Sequence, residues 1–247
     1  METKILSFNI LLFLALVVGF SIYKNAYIKG KLTCNNYILN SYLYILLSLL
    51  IVSSVAISIE KWNKNYLNYR TRGSFWILLF LSLGILMATM MTNPKNTFVK
   101  HSFWFLLMII FGVVVYPIYI LTKKTNTLQS TLATLFIMVS FLTSIAFYRP
   151  DLISLSWGPV LLVCLVAGIV FSIMNMLLSK RKTFIRIHTI LSYLFIVLFS
   201  VFILYDTKKL QVNAKNCVIP DYINESLGIF LDIMNLFVRI GGLSSRS

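Results

Sequence analysis

The chain carries only seven acids, and one of them stands where a carboxylate is costly. Asp232 lies in "GIFLDIMNLF", Gly228 to Phe237, inside an apolar run over about 225–243. The other six, Glu2, Glu60, Asp151, Asp206, Asp221 and Glu225, fall in loops or at segment ends. A charge at bilayer depth costs about 2.5–3.5 kcal/mol on insertion scales. A carboxylate kept there either serves a cation or proton path inside a bundle or is a protonated, hydrogen-bonded packing residue. Gly228, Asp232, Asn235, Arg239 and Gly242 recur at intervals of 3 or 4, so they share one helix face. That stripe of small and polar residues could line a narrow wet path, or Arg239 could snorkel to an interface. In "FILYDTKKL", Phe202 to Leu210, Asp206 closes the preceding apolar segment.

These residues need helices to hold them. The chain is 59% hydrophobic and 12% charged over its 247 residues, whereas a soluble domain averages about 25% charged. Eight apolar stretches follow, at roughly 5–22, 38–59, 74–91, 102–121, 127–148, 157–178, 184–205 and 225–243. A spanning helix needs about 20 apolar residues, so the first and last are marginal. The fold class is an all-α polytopic membrane bundle. Pro94, Pro150, Pro159 and Pro220 mark segment ends, while Pro117 inside the fourth predicts a kink. Lys4 and the apolar run after it read as an anchor helix or a signal-like segment without a convincing cleavage site.

The net charge of +15 reads as loop lysines beside lipid headgroups, with no nucleic-acid motif. If all eight stretches cross, one side collects eleven basic residues: Lys4, Lys61, Lys64, Arg70, Arg72, Lys123, Lys124, Lys180, Arg181, Lys182 and Arg246. The other collects nine: Lys24, Lys29, Lys31, Lys95, Lys100, Arg149, Lys208, Lys209 and Lys215. That margin does not set orientation. Cys164 reads as an apolar packer. Cys34 and Cys217 share a side, where a disulfide requires an oxidising compartment. No catalytic or zinc motif occurs, so neither an enzyme nor a cofactor is expected.

The end of the chain resembles the transmembrane Bax inhibitor motif family, also called lifeguard. Tyr205, Asp206 and Thr207 match its Y-D-T ending, and Asp221 and Tyr222 its D-Y pair. Leu227, Phe230, Leu231, Asp232, Ile233, Asn235, Leu236 and Phe237 match its L-x-L-Y-L-D-I-I-N-L-F helix, with phenylalanine for tyrosine at 230. "ATLFIMVSFLTSIAFYRPDL" and "SWGPVLLV" resemble its fourth and fifth helices more faintly. Two departures stand out: "SFWFLLMIIFGVVVYP" lacks the family's acid in helix three, and the charged stretch before helix one is missing around "TCNNYILNS".

The resemblance implies a seven-helix core over 32–247 with a central last helix, preceded by an extension over 1–31. It implies a pH-sensitive calcium leak in the endoplasmic reticulum or Golgi membrane, host membranes if the gene is viral, together with suppression of cell death. A non-conducting adaptor that works through other membrane proteins of cell-death control is the alternative. It further implies a hydrogen-bonded, pH-sensing pair of Asp206 and Asp232, weak calcium ligation by both, and a basic latch for which Lys95 is the nearest candidate. Two carboxyls at that range share a proton because they cannot both ionise cheaply. The family topology puts Asn224-Glu225-Ser226, a glycosylation sequon, in the cytosol, where no glycan is expected.

Overall fold

The structure, a computed structural model, describes residues 2–28, 30–62, 72–178 and 181–246; for 2–7, 72–75, 176, 178, 181, 182 and 184 it describes the helical backbone alone. Eight helices run along the described chain: α1 Glu2–Ala26, α2 Tyr37–Trp62, α3 Arg72–Met91, α4 Thr97–Lys124, α5 Leu128–Tyr148, α6 Trp157–Leu178, α7 Arg181–Lys215 and α8 Tyr222–Ser244. Seven are long and apolar enough to cross a membrane, and in α3 the apolar part, Trp76–Met91, is shorter. Hydrocarbon leaves backbone groups no partner outside the helix itself, which is why apolar composition and helix coincide throughout. The one described sheet is a two-stranded hairpin, β1 Tyr27–Ile28 and β2 Lys31–Leu32, turning at Gly30, whose φ of +74 suits a residue without Cβ.

All eight sequence-derived segments are helices, but several run further than their apolar cores. α4 begins at Thr97 and α7 continues through Thr207, Lys208 and Lys209 to Lys215, 35 residues in all. At 1.5 Å per residue α7 is about 52 Å long, well beyond a hydrocarbon core of about 30 Å. Asp206 therefore lies within a helix, not at its end. Lysine, glutamine and alanine are good helix formers, so the helix does not stop where apolarity does. Pro150 opens a short 3-10 turn, Pro150–Leu152. α4 runs through Pro117, which can donate no backbone hydrogen bond.

The chain forms two compact units, 1–117 with 214–230, and 118–213 with 231–247. The first holds α1–α3, the hairpin, most of α4 and the start of α8. There α1 packs on α2, with Phe8 edge-on to Trp62 and Lys61 Nζ over the Trp62 ring at 5.0 Å. The second unit holds α5, α6, most of α7 and the rest of α8. Of the candidate spans α8 is the most enclosed: 61% of its apolar stretch is buried, against 44% in α4 and 6% in α6. The last helix is thus not exposed on all its faces.

Close packing in the first unit depends on Gly112. A Cβ there would lie 2.5 Å from Val55 Cβ and 3.1 Å from Val52 O, so α4 meets α2 at a distance that only glycine permits, as membrane helix pairs often do. Gly112→Leu is expected to cost about 1–3 kcal/mol by overpacking. Gly84→Leu, at a glycine with no neighbour within 4 Å, is expected to leave the thermal midpoint in detergent unchanged. Equal midpoints for the two variants would refute the close approach.

Candidate ion and proton site

Asp232 is 5% exposed, and its Oδ2 is buried without a hydrogen-bond partner. Asp206 is the group whose charge bears on it. Asp206 on α7 and Asp232 on α8, the two carboxylates of the sequence motif, both belong to the second unit. Tyr205, beside Asp206, explains the "SWGPV" run: a Cβ on Gly158 would sit 2.5 Å from the Tyr205 hydroxyl. Glycine at the start of α6 leaves the room that α7 uses.

The rest of the polar stripe is accounted for locally. Asn235 Nδ2 donates to Leu231 O at 2.9 Å, and that bond ties it to its own helix. Arg239 is half-buried, with its guanidinium carbon 4.3 Å from the Phe195 ring centroid, a cation–π contact with α7. Near the end of the helix, Arg246 donates to Thr189 Oγ1 at 3.2 Å and lies 3.4 Å from His188 Nδ1. Lys95 is exposed, and its backbone N–H is held by Asn93 Oδ1. It belongs to the first unit, whereas both aspartates belong to the second. Among the described residues no group of three or more His, Cys, Asp or Glu gathers as a metal cage. Calcium takes six to eight oxygens in a resident site, more than the two carboxylates of Asp206 and Asp232 supply.

A second carboxylate centre lies at the start of α8, in the first unit. Asp221 Oδ2 accepts from Lys100 Nζ at 2.6 Å, and Asp221 Oδ1 accepts from the Asn224 backbone N–H at 3.2 Å. One carboxylate thereby caps a helix and neutralises a lysine. Lys100 is 2% exposed and also donates to Thr92 O at 3.0 Å. Asn224 Nδ2 donates to Met90 O at 3.0 Å, a second tie between α8 and the end of α3. Beside them, His101 Nδ1 lies 2.6 Å from the carbonyl oxygen of Thr97, which can only accept. With the ring neutral, Nε2 then accepts from the Tyr44 hydroxyl at 2.6 Å. Trp104 donates to Ser48 Oγ at 3.2 Å.

By sequence alone Lys100 counts among loop charges, and Asp221 has no role beyond motif matching. A signal was present: once α4 is taken to start at Thr97, Lys100 falls in its first turn, where the helix dipole disfavours a cation. A lysine at that position calls for a compensating acid. Arg149 and Asp151 are by contrast an exposed pair at 3.5 Å, where the Arg149 hydrogen bond draws the Asp151 carboxyl below its usual range.

A predominantly helical chain with seven helices of membrane-crossing length and apolarity, the most enclosed of them carrying a buried acid, defines a polytopic membrane protein. The family model described as inhibitor of apoptosis-promoting Bax1 matches residues 34–243, and the chain belongs to that family. No curated protein sequence matches the chain. The family match begins after α1 and the hairpin, so those elements are additions to the family's core.

Removing one partner of a buried ion pair costs about 3–5 kcal/mol. Lys100→Met is therefore expected to lower the thermal midpoint in detergent clearly, and Lys100→Met with Asp221→Asn to recover part of the loss, since asparagine still caps α8. Asp151→Asn is expected to stay within about 1 kcal/mol of the parent, as for exposed pairs generally. A double variant no more stable than Lys100→Met would sink the coupling.

Proposed function

We propose that this member of the Bax inhibitor family is a pH-sensitive calcium leak of an intracellular membrane, of the endoplasmic reticulum or Golgi, and that it suppresses cell death by lowering stored calcium. One observation supports the reading above all: Asp232 is a buried acid with an unpartnered oxygen, and the charge that bears on it is a second acid. Packing alone gives no reason for a carboxylate in that setting, because an apolar side chain of similar volume would avoid the desolvation. Two carboxyls that feel each other hold one proton between them over a range of pH, and the titration belongs to the pair. Loss of the shared proton leaves two negative charges to attract a passing cation; gain of it halves that charge, which weakens the attraction, and allows a hydrogen-bonded bridge between α7 and α8. Ion binding at so sparse a donor set is weak, which permeation requires.

The test is calcium entry into dye-loaded proteoliposomes holding the purified chain, between about pH 6 and 8, a span reachable when two carboxyls titrate as a coupled, buried pair. Asp232→Asn keeps size and removes the titrating charge; it is expected to flatten the pH profile and reduce flux. Asp206→Asn is expected to change the pH profile as well, and Asp151→Asn to match the parent. A parent protein without flux at any pH would favour an adaptor acting through other membrane proteins, and unchanged profiles in both variants would reduce the aspartates to packing residues.

A further inference from the structure

Cys34 and Cys217 are joined by a disulfide across 183 residues of sequence, with a Cα–Cα separation of 6.0 Å. Cys34 lies between β2 and α2, Cys217 between α7 and α8. The bond sits in a built setting. The Tyr222 hydroxyl donates to Thr33 O, and lies 3.3 Å from Asn35 O. Both carbonyls flank Cys34. Thr33 N–H donates to Ala26 O at 2.9 Å, and Asn40 Nδ2 to Asn35 O at 2.9 Å. The cysteine-bearing segment is thus held against the first turn of α8, by contacts that do not depend on the sulfur atoms.

A covalent bond between two loop residues puts both on one face of the membrane, so the crossings between them must be even in number. Six helices, α2 to α7, separate the cysteines. Five of them are long, apolar spans, and α3 is the doubtful one, with its described apolar part limited to Trp76–Met91. Parity makes α3 a crossing. Its 20 residues reach about 30 Å, enough for a hydrocarbon core.

We infer that the membrane face carrying Cys34 and Cys217 is the oxidising one, lumenal or exterior, and that the segments before α1 and after α8 face the cytosol. Disulfides persist in oxidising compartments and are rare where glutathione and thioredoxin keep thiols reduced. Formation is balanced: two thiols lose two protons and two electrons to the disulfide of an exchange partner, which leaves as a dithiol. This orientation is the reverse of the one the family resemblance implies for the α7–α8 loop. The physical cause is α1, which precedes the family's residues 34–243. One added span ahead of seven inverts every later loop when the segment before it stays cytosolic.

The sequon does not report this inversion. Asn224 lies in α8 with its amide nitrogen donating to Met90 O, and Ser226 is fully buried. Asn224 is expected to carry no glycan on either side.

The experiment uses the full chain with Cys164→Ser and an epitope tag after Ser247, expressed in a eukaryotic cell and recovered in sealed microsomes. After acid quenching and denaturation, a maleimide-linked polyethylene glycol is expected to add to no cysteine without reductant and to two after reduction; two adducts before reduction would overturn the inference. Protease added outside the sealed vesicles is expected to remove the tag. A tag that survives until detergent is added would overturn it equally. In Cys34→Ser, the released Cys217 thiol is expected to meet a membrane-impermeant maleimide only after the vesicles are opened, and labelling of sealed vesicles would count against the assignment. The tag readout is taken on the chain with its disulfide intact, so it stands even if Cys34→Ser folds poorly. None of these outcomes depends on calcium flux.

Discussion

Hydrocarbon supplies no hydrogen-bond partner and no counter-charge, and that deficit governs where the polar groups of this chain lie. Several hydroxyls turn back on their own helices: Ser41 donates to Tyr37 O, Thr89 to Ile85 O and Ser192 to His188 O, each four residues earlier, whereas Thr131 and Thr143 Oγ1 are buried without a partner. Charges have no such local solution. Lys100 is buried and is met by Asp221; Arg239 lies on the Phe195 ring. Asp232 departs from the pattern, because one oxygen has no partner and the charge that bears on it is of the same sign.

α8 concentrates these demands. In the first unit its opening turn is joined to the α3 end through Asn224, to Lys100 through the preceding Asp221, and to the loop before α2 through Tyr222. The disulfide ties that same loop to the α7–α8 connection. In the second unit its continuation carries Asp232, Asn235 and Arg239, and ends near Gly241, where a Cβ would lie 2.9 Å from Thr122 Cγ2. Membership of the Bax inhibitor family, with its link to cell-death control, fits a membrane protein whose most enclosed helix is also the one that carries the acid and the amide of the motif.

Much of this was legible from residue types alone. Apolar run length set the number and order of helices, because a membrane-crossing segment must satisfy its own backbone. Asp232 was conspicuous because an acid inside an apolar run carries a desolvation cost that packing does not repay, and the spacing of the D-Y and D-I-x-N-L-F motifs pointed to Asp206 as its partner. Helix ends were less legible. Asp206 seemed to close a segment, yet α7 carries on to Lys215, since loss of apolarity ends a span and not a helix.

What only the tertiary structure decided concerns pairs distant in sequence. Lys95 and Lys100 are five residues apart and chemically alike; the start of α4 marks Lys100 as needing an acid, but only the packing makes that acid Asp221 and leaves Lys95 facing outward. The same holds for Cys34 and Cys217, whose shared side followed from counting spans but whose bond appears only in the tertiary structure, beside the Tyr222 contact to the Cys34 segment. Composition and periodicity record how each segment meets lipid, which is a property of the segment. Pairing across 121 or 183 residues is a property of how helices pack, and that depends on side-chain shapes, such as Gly112 against Val55, that leave no periodic trace in the chain.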